Sequence, residues 1–376
     1  MKYKLSEIFE KPISGEWGNE LEEGKYGAKV IRTTNFTNMG RLNLNYIVER
    51  DIDVEKYENK LLKLGDIIIE KSGGSPNQPV GRVVIFEENT SEKYFCNNFT
   101  SILRPKNIIN AKYSLYLLKD LYNKKRVLKY QNKTTGIINL KLNDYLNNTE
   151  IMIPSIEEQV KISTILDRSQ ELIDKRKEQI EALDELVKSQ FIEMFGDVKK
   201  NNKQWETQKG SDLFVFSSGK GKPTANLSDE NEYRCYGGNG ITGYSDEYLI
   251  DYDTLVVGRV GVYCGSIHRT IGKVWITDNA IYIKEFKKNL NLMYLEYLFI
   301  NMNFNQYADY SGQPKITQKP LQNSLYVLPP IELQNQFADF VKQVDKLKFE
   351  MEKSLKELED NFNSLMQKAF KGELFN

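Results

Sequence analysis

The sequence predicts an α+β protein: two globular, mixed α/β blocks separated by two long antiparallel helices that form a coiled coil, in a pseudo-two-fold tandem repeat. Three observations predict it. Leu166, Ile173, Ile180, Val187 and Met194 fall at heptad spacing in the stretch after residue 155, and Phe337, Val344, Met351, Leu358 and Leu365 do so in the stretch after residue 330; a sustained seven-residue apolar repeat is the signature of a helix packed along another helix. The entrances to the two stretches match, IPSIEEQ at 153–159 against LPPIELQ at 328–334, so that Pro154 aligns with Pro329, Ile156 with Ile331 and Gln159 with Gln334. The blocks ahead of them also correspond in order: CNNFTSIL resembles TDNAIYI, and TTGIINLKL resembles SGQPKITQKPL. A duplication of this kind outranks any local motif as a guide to architecture. It divides the chain into a first block at 1–154, a first helix at 155–196, a second block at 197–329 and a second helix at 330–376.

In the first block, Ala28 to Thr34, Asp66 to Lys71, Gly81 to Phe86 and Phe99 to Pro105 read as strands between Gly, Pro and Asn punctuation. A helix is expected from about Tyr113 to Tyr130, with Leu117, Leu118, Leu121 and Leu128 on its apolar face and Lys124, Lys125, Arg126 and Lys129 crowded near its end. Those cations suit either the helix C-terminus or a phosphate. Ser155 and Glu158 have capping-box spacing at the first long helix. In the second block the strand-like runs are Asp253 to Gly261, Gly265 to Arg269 and Val274 to Ile283, followed by a helical run from about Leu292 to Tyr307. The helix entrances are offset by 175 positions, and pairing Phe191 with Phe370 offsets the ends by 179, which implies four extra residues in the second helix and a heptad stutter.

Composition narrows the function classes. No apolar run approaches the roughly 18 residues a membrane span needs, and the N-terminus lacks the apolar stretch of a signal peptide; a cytoplasmic protein is expected. Cys96, Cys235 and Cys264 are odd in number and scattered, which suits a reducing compartment and argues against a disulfide framework or a zinc site. A single histidine, His268, argues against Ser/His/Asp, Cys/His and multi-histidine metal chemistry. The net charge of zero is unevenly spread: the first block carries 24 basic and 19 acidic residues and the second 15 and 14, leaving the two helices about six charges negative. Basic blocks on acidic helices fit a nucleic-acid binder, as they also fit an ordinary surface.

GNGITG at 238–243 matches the dinucleotide-binding pattern, but no apolar strand precedes it and no helix start follows, so a nicotinamide enzyme is a poor third reading. A glycine-rich loop that brings the backbone close to a partner, flanked by Tyr236, Asn239 and Tyr244, accounts for it better. GKGKPT at 219–224 lacks P-loop spacing and reads as a basic loop. KSGGSPNQPVGR at 71–82 holds Lys, Ser, Asn, Gln and Arg on one loop, the types that meet phosphates and base edges, although from composition alone a plain surface loop is the favoured reading. The candidate DNA-binding residues, chosen from loops in matching places, are Arg32, Thr34, Lys71, Ser72, Asn77, Gln78 and Thr135 in the first block and Lys220, Lys222, Tyr236, Asn239, Arg259 and Lys315 in the second. No NPPF- or DPPY-like tetrapeptide or nuclease-like acidic cluster is evident, so no catalytic residue and no metal or cofactor is assigned to the chain.

Taken together, the paired entrances IPSIEEQ and LPPIELQ, the helix ends QFIEMFGD and QKAFKGELF, and the loop YGGNGITGY resemble the DNA-specificity subunits of Type I restriction-modification systems, over essentially the whole chain. That resemblance implies a non-catalytic subunit with two target-recognition domains, each reading one half of a split site in double-stranded DNA. It implies partners as well: two copies of a modification methyltransferase subunit docked on the helices, with S-adenosylmethionine bound there rather than in this chain, and restriction/translocase subunits in the full assembly. The methylated adenine would be flipped into the partner's pocket. The alternative is a coiled-coil adaptor whose blocks bind proteins.

Overall fold

The computed structural model describes residues 2–75, 78–134 and 137–375. The chain packs as two units, Met1–Lys175 with Leu355–Asn376 and Arg176–Ser354. Each unit contains one whole block and a half of each long helix.

The duplication expected from the sequence is realised in two matching sheets of each unit. In the first unit a four-stranded sheet is ordered Ile13–Ser14, Thr100–Leu103, Ile67–Glu70, Val83–Ile85; in the second, Phe214–Ser218, Ala280–Phe286, Leu255–Gly258, Ile267–Arg269 take the same places. A three-stranded sheet accompanies each. Its central strand, Ala28–Ile31 or Tyr233–Gly237, pairs antiparallel with one neighbour and parallel with the other, Tyr94–Cys96 or Val274–Ile276. The four-residue strands Ile67–Glu70 and Leu255–Gly258 are buried along their whole length, which is why they read as unbroken apolar runs rather than alternating ones.

Several runs are shorter than the sequence suggested. The helix expected to reach Tyr130 is Ala111–Asn123, because Lys125 enters the left-handed region (φ +58°) and a 3₁₀ turn, Arg126–Tyr130, follows. That reversal leaves Leu128 exposed and tucks Val127 against Gly81. The second block repeats the break: Leu292–Met302, then Asn303 at φ +53°, then Phe304–Tyr307. Val274 to Ile283 is not one strand but two in different sheets, divided at the polar Thr277-Asp278-Asn279 turn.

The long helices run Ile156–Phe195, 40 residues, and Ile331–Lys371, 41 residues. Their C-terminal stops are equivalent glycines, Gly196 at φ +76° and Gly372 at φ +77°, where an L side chain would be strained. The offset at the ends is therefore 176, not 179, and the expected four-residue excess reduces to one. Pairing Phe191 with Phe370 had matched side chains one turn apart. The capping box forms, with Ser155 N–H donating to Glu158 Oε2 at 3.1 Å.

In the first unit the helix halves run antiparallel, Ile162 lying by Ala369 and Phe370 and Ile173 by Phe362. In the second, Phe191 meets Phe337 edge-on, centroids 5.4 Å apart, and Asp184 pairs with Lys348 at 2.6 Å. Leu166, Ile173, Val187, Phe337 and Val344 are buried as the heptads require, while Ile180, Met194, Met351, Leu358 and Leu365 are half-buried. Ile162, Phe191, Val341, Met366 and Ala369 fill the intervening positions.

Each block is fastened to its helix by an equivalent glutamine. Gln159 Oε1 accepts from the backbone N–H of Asn110 (2.8 Å) while its Nε2 donates to the carbonyls of Pro154 and Ile108. Gln334 does the same with Asn291 N–H (2.9 Å) and Pro329 O (2.9 Å). Asn110 and Asn291 are themselves the N-caps of the block helices. The two aligned glutamines thus satisfy a helix start that would otherwise be buried with an orphan donor.

Candidate nucleic-acid interface

Most of the sequence-selected residues gather on one rim of each unit, where several strands end together. Five backbone hydrogen bonds define the rim, and they recur in both units. Asn97 N–H donates to Ile31 O (2.9 Å) as Thr277 N–H does to Tyr236 O (2.8 Å). Lys71 N–H donates to Phe99 O (2.9 Å) as Arg259 N–H does to Asn279 O (2.9 Å). Leu140 N–H donates to Lys71 O (2.8 Å) as Ile316 N–H does to Arg259 O (2.9 Å). A short strap crosses the strand ends: Gly15 to Thr100 and Glu16 to Cys96 in the first unit, Gly219 to Ala280 and Lys220 to Ile276 in the second. The strap needs glycine. A Cβ on Gly15 would sit 2.1 Å from Asn97 O, and one on Gly219 2.2 Å from Thr277 O.

Equivalent side chains on this shared scaffold differ. Arg32, Thr33 and Thr34 stand where the second unit has Gly237, Gly238 and Asn239; Lys71 where it has Arg259; Asn97 where it has Thr277; Asn139 where it has Lys315. One contact is kept in kind: the cation after the buried strand reaches the serine before the strap glycine. Lys71 Nζ lies 2.5 Å from Ser14 Oγ, and Arg259 Nη1 lies 3.4 Å from Ser218 Oγ and 3.3 Å from Asp278 O. Burial holds the Lys71 ammonium below the usual lysine range. Among the described residues no carboxylate pairs with Lys71, since the neighbouring Glu70 is taken by Arg82 at 2.8 and 3.1 Å.

Six buried side-chain polar atoms lack a partner among the described residues, and four lie on these rims: Arg32 Nε and Asn97 Oδ1, Arg259 Nε and Thr277 Oγ1. An unmet buried donor or acceptor is costly until water or a ligand meets it, so these four atoms leave both rims open to a polar partner.

Thr34, Gln78, Lys220, Asn239 and Lys315 are exposed. Arg32 is half-buried and holds the Tyr46 carbonyl at 3.3 Å, and Ser72 is tied to Asn139 at 2.6 Å. Asn77 and Thr135 lie outside the described residues. Lys222 and Tyr236 are turned to internal work. The Lys222 side chain is 5% exposed, ion-paired with Asp246 (2.7 Å) and Glu247 (3.2 Å) and seated over the Trp275 ring; Tyr236 is buried in its sheet. Ser14, Gly15, Asn97 and Phe99, with Ser218, Gly219, Thr277 and Asn279, belong to the rims but were not among the sequence-selected residues. The repeated Ser-Gly pairs at 14–15 and 218–219 were the signal that could have found them.

The glycine-rich motif is a β-hairpin, Tyr233–Gly237 with Gly240–Ser245, so its amides serve a sheet and not a helix start open to a pyrophosphate. His268 packs beneath Gly240, its basicity lowered by burial, with Nε2 3.2 Å from Ser266 Oγ. That hydroxyl donates to Gly238 O, so the pair braces the hairpin. Among the described residues no group of three His, Cys, Asp or Glu side chains is placed to hold a metal, and no helix is long and apolar enough to cross a membrane.

Comparison with known proteins identifies the class. The fold is that of two solved structures: an S subunit of a Type I restriction-modification system from M. genitalium (TM-score 0.59, 18% identity, 98% of this chain and 96% of that one) and a chain from a study of complex assembly and conformational transition in the type I R-M system (TM-score 0.61, 16% identity, 100% and 98%). The model of the Type I restriction modification DNA specificity domain matches residues 1–182 and again 202–360, and the chain belongs to that family. Two relatives agree. The EcoprrI specificity subunit of Escherichia coli is 35% identical over 115 residues, 31% of this chain and 28% of that protein. The putative MjaX specificity subunit of Methanocaldococcus jannaschii is 24% identical over 374 residues, 92% of this chain and 86% of that one.

Proposed function

We propose that this Type I specificity subunit reads a bipartite target in double-stranded DNA, one half-site per unit, and directs modification methyltransferase subunits to it without catalysing a reaction itself. The observation that carries this reading is the pair of rims: one hydrogen-bonded scaffold, built twice, with different side chains at equivalent places. A shared scaffold places each rim on a duplex in the same way through phosphate contacts, and divergent side chains let the two rims prefer different bases. Lys71 and Arg259 are the matched cations for that role. The long helices, with Leu172, Leu186, Ile192 and Phe349 left exposed, are the docking surface for the methyltransferase subunits; S-adenosylmethionine and the flipped adenine belong in those partners, and restriction/translocase subunits join the same assembly.

The test is binding of the co-expressed complex to DNA as salt rises. Six to ten phosphate contacts would cost about 10³- to 10⁵-fold in affinity between 50 and 200 mM salt through counterion release. A salt-insensitive complex, or one that captures protein and no DNA, overturns the reading in favour of an adaptor.

A further inference from the structure

Beyond cations and amides, the rim of the second unit carries a feature that reading DNA through hydrogen bonds does not require. Directly after Arg259 the chain makes a tight turn, Gly261–Tyr263 and Cys264–Gly265, before the strand Ile267–Arg269. The turn is heavily fixed. Gly261 N–H donates to Pro314 O (2.9 Å), Cys264 N–H to Gly261 O (3.0 Å), Gly265 N–H to Gly258 O (2.8 Å) and Ser266 N–H to Tyr263 O (3.0 Å). Cys264 is buried in the core of the unit, and Asn305 Nδ2 holds its carbonyl at 3.1 Å. Gly261 (φ +75°) and Gly265 (φ +88°) adopt backbone conformations that favour glycine, and a Cβ on Gly265 would strike the Asn305 backbone at 2.4 Å.

Between these anchors the two intervening side chains point outward: Val262 is 85% exposed and Tyr263 50%. The fixed turn thus presents a β-branched residue and an aromatic ring to solvent close to Arg259, whose Nε has no partner among the described residues. The first unit's rim also projects apolar groups, Tyr46 at 83% exposure next to Arg32, and Phe99, whose carbonyl is the one bound by Lys71.

We infer that Val262 and Tyr263 form a wedge that inserts against, and partly unstacks, a base step in the half-site read by the second unit. The inference rests on the proposed DNA-reading role of that rim. A wedge enters a base step at the cost of unstacking it, a cost that is smaller where the step is already disrupted, and the ring stacking that offsets it survives Tyr→Phe but not Tyr→Ser.

The experiment uses the full chain with its co-expressed methyltransferase and the duplex it methylates, carrying 2-aminopurine in the second unit's half-site at a position other than the methylated adenine, whose flipping would itself raise the signal. Wild type should raise 2-aminopurine fluorescence on binding. Val262→Ser with Tyr263→Ser should abolish that rise and weaken binding about tenfold or more, consistent with one lost stacking contact. Tyr263→Phe should behave as wild type, and a mismatch at the wedged step, which lowers the cost of insertion, should tighten binding by wild type more than binding by the double variant. Equal binding by the double variant, or an equal loss on matched and mismatched duplexes, overturns the wedge while leaving DNA reading intact. A wild-type complex that binds and methylates no duplex overturns both.

Discussion

Replacing Gly219 by alanine tests whether the strap is what shapes the second rim. The new Cβ would lie 2.2 Å from Thr277 O and 2.3 Å from Ile276 O, more than about 1 Å inside ordinary heavy-atom contact. Both obstacles are backbone, so no rotamer change relieves them and the strap must lift. Lifting breaks Gly219 N–H to Ala280 O (3.1 Å) and Lys220 N–H to Ile276 O (2.9 Å), each worth about 1 kcal/mol, on top of about 1–3 kcal/mol for overpacking. A loss of about 3–5 kcal/mol leaves a protein of ordinary stability folded but with a weakened unit. Hydrogen exchange should therefore rise at residues 218–220 and 276–280, and methylation should lose discrimination in one half-site only. Gly15→Ala, whose Cβ meets Asn97 O at 2.1 Å and Cys96 O at 2.3 Å, should do the same to the other half. Unchanged exchange and unchanged targets in both variants would refute the reasoning.

Gln334→Ala should destabilise its unit by about 1–3 kcal/mol, since it removes the buried partner of the half-buried Asn291 N–H; lost exchange protection over 291–295 is the readout, and Gln159→Ala should act equivalently at 110–114. Lys71→Ala should reduce the slope of log K against log salt by about one, as loss of a phosphate contact does; an unchanged slope would assign Lys71 elsewhere. Burial lowers the Lys119 ammonium to about 8, its Nζ held by Met39 O at 2.6 Å. Between about pH 8 and the unfolded value near 10.4 the unfolded chain holds the extra proton, so stability rises with pH across that window. Lys119→Met should lose that rise in melting temperature, and an identical pH profile in both proteins would contradict it.

The duplicated plan was legible because its signals are local and repeated. A heptad, a proline-capped entrance and an aligned glutamine need no tertiary knowledge, and Gln159 and Gln334 prove to do identical work. The helix ends misled because side-chain likeness, Phe191 with Phe370, competed with backbone chemistry; only the left-handed glycines Gly196 and Gly372 reveal the true register. The site was half legible. Lys71 and Arg259 could be paired from flanking strands, but the strap that brings Ser14 and Ser218 to them comes from a distant part of the chain. Lys222 sits in a basic loop by sequence, and its ring and carboxylate partners, Trp275, Asp246 and Glu247, arrive only with the fold.

The central claim, two rims reading two half-sites, is tested most directly by methylation-aware sequencing of DNA from cells that express this chain with its methyltransferase, wild type beside Arg259→Ala. The account predicts adenine methylation at a split sequence with a fixed non-specific spacer, and a variant whose methylated sites relax in one half while the other half is kept. A single continuous site, or an Arg259→Ala pattern altered equally on both sides of a spacer, would contradict it.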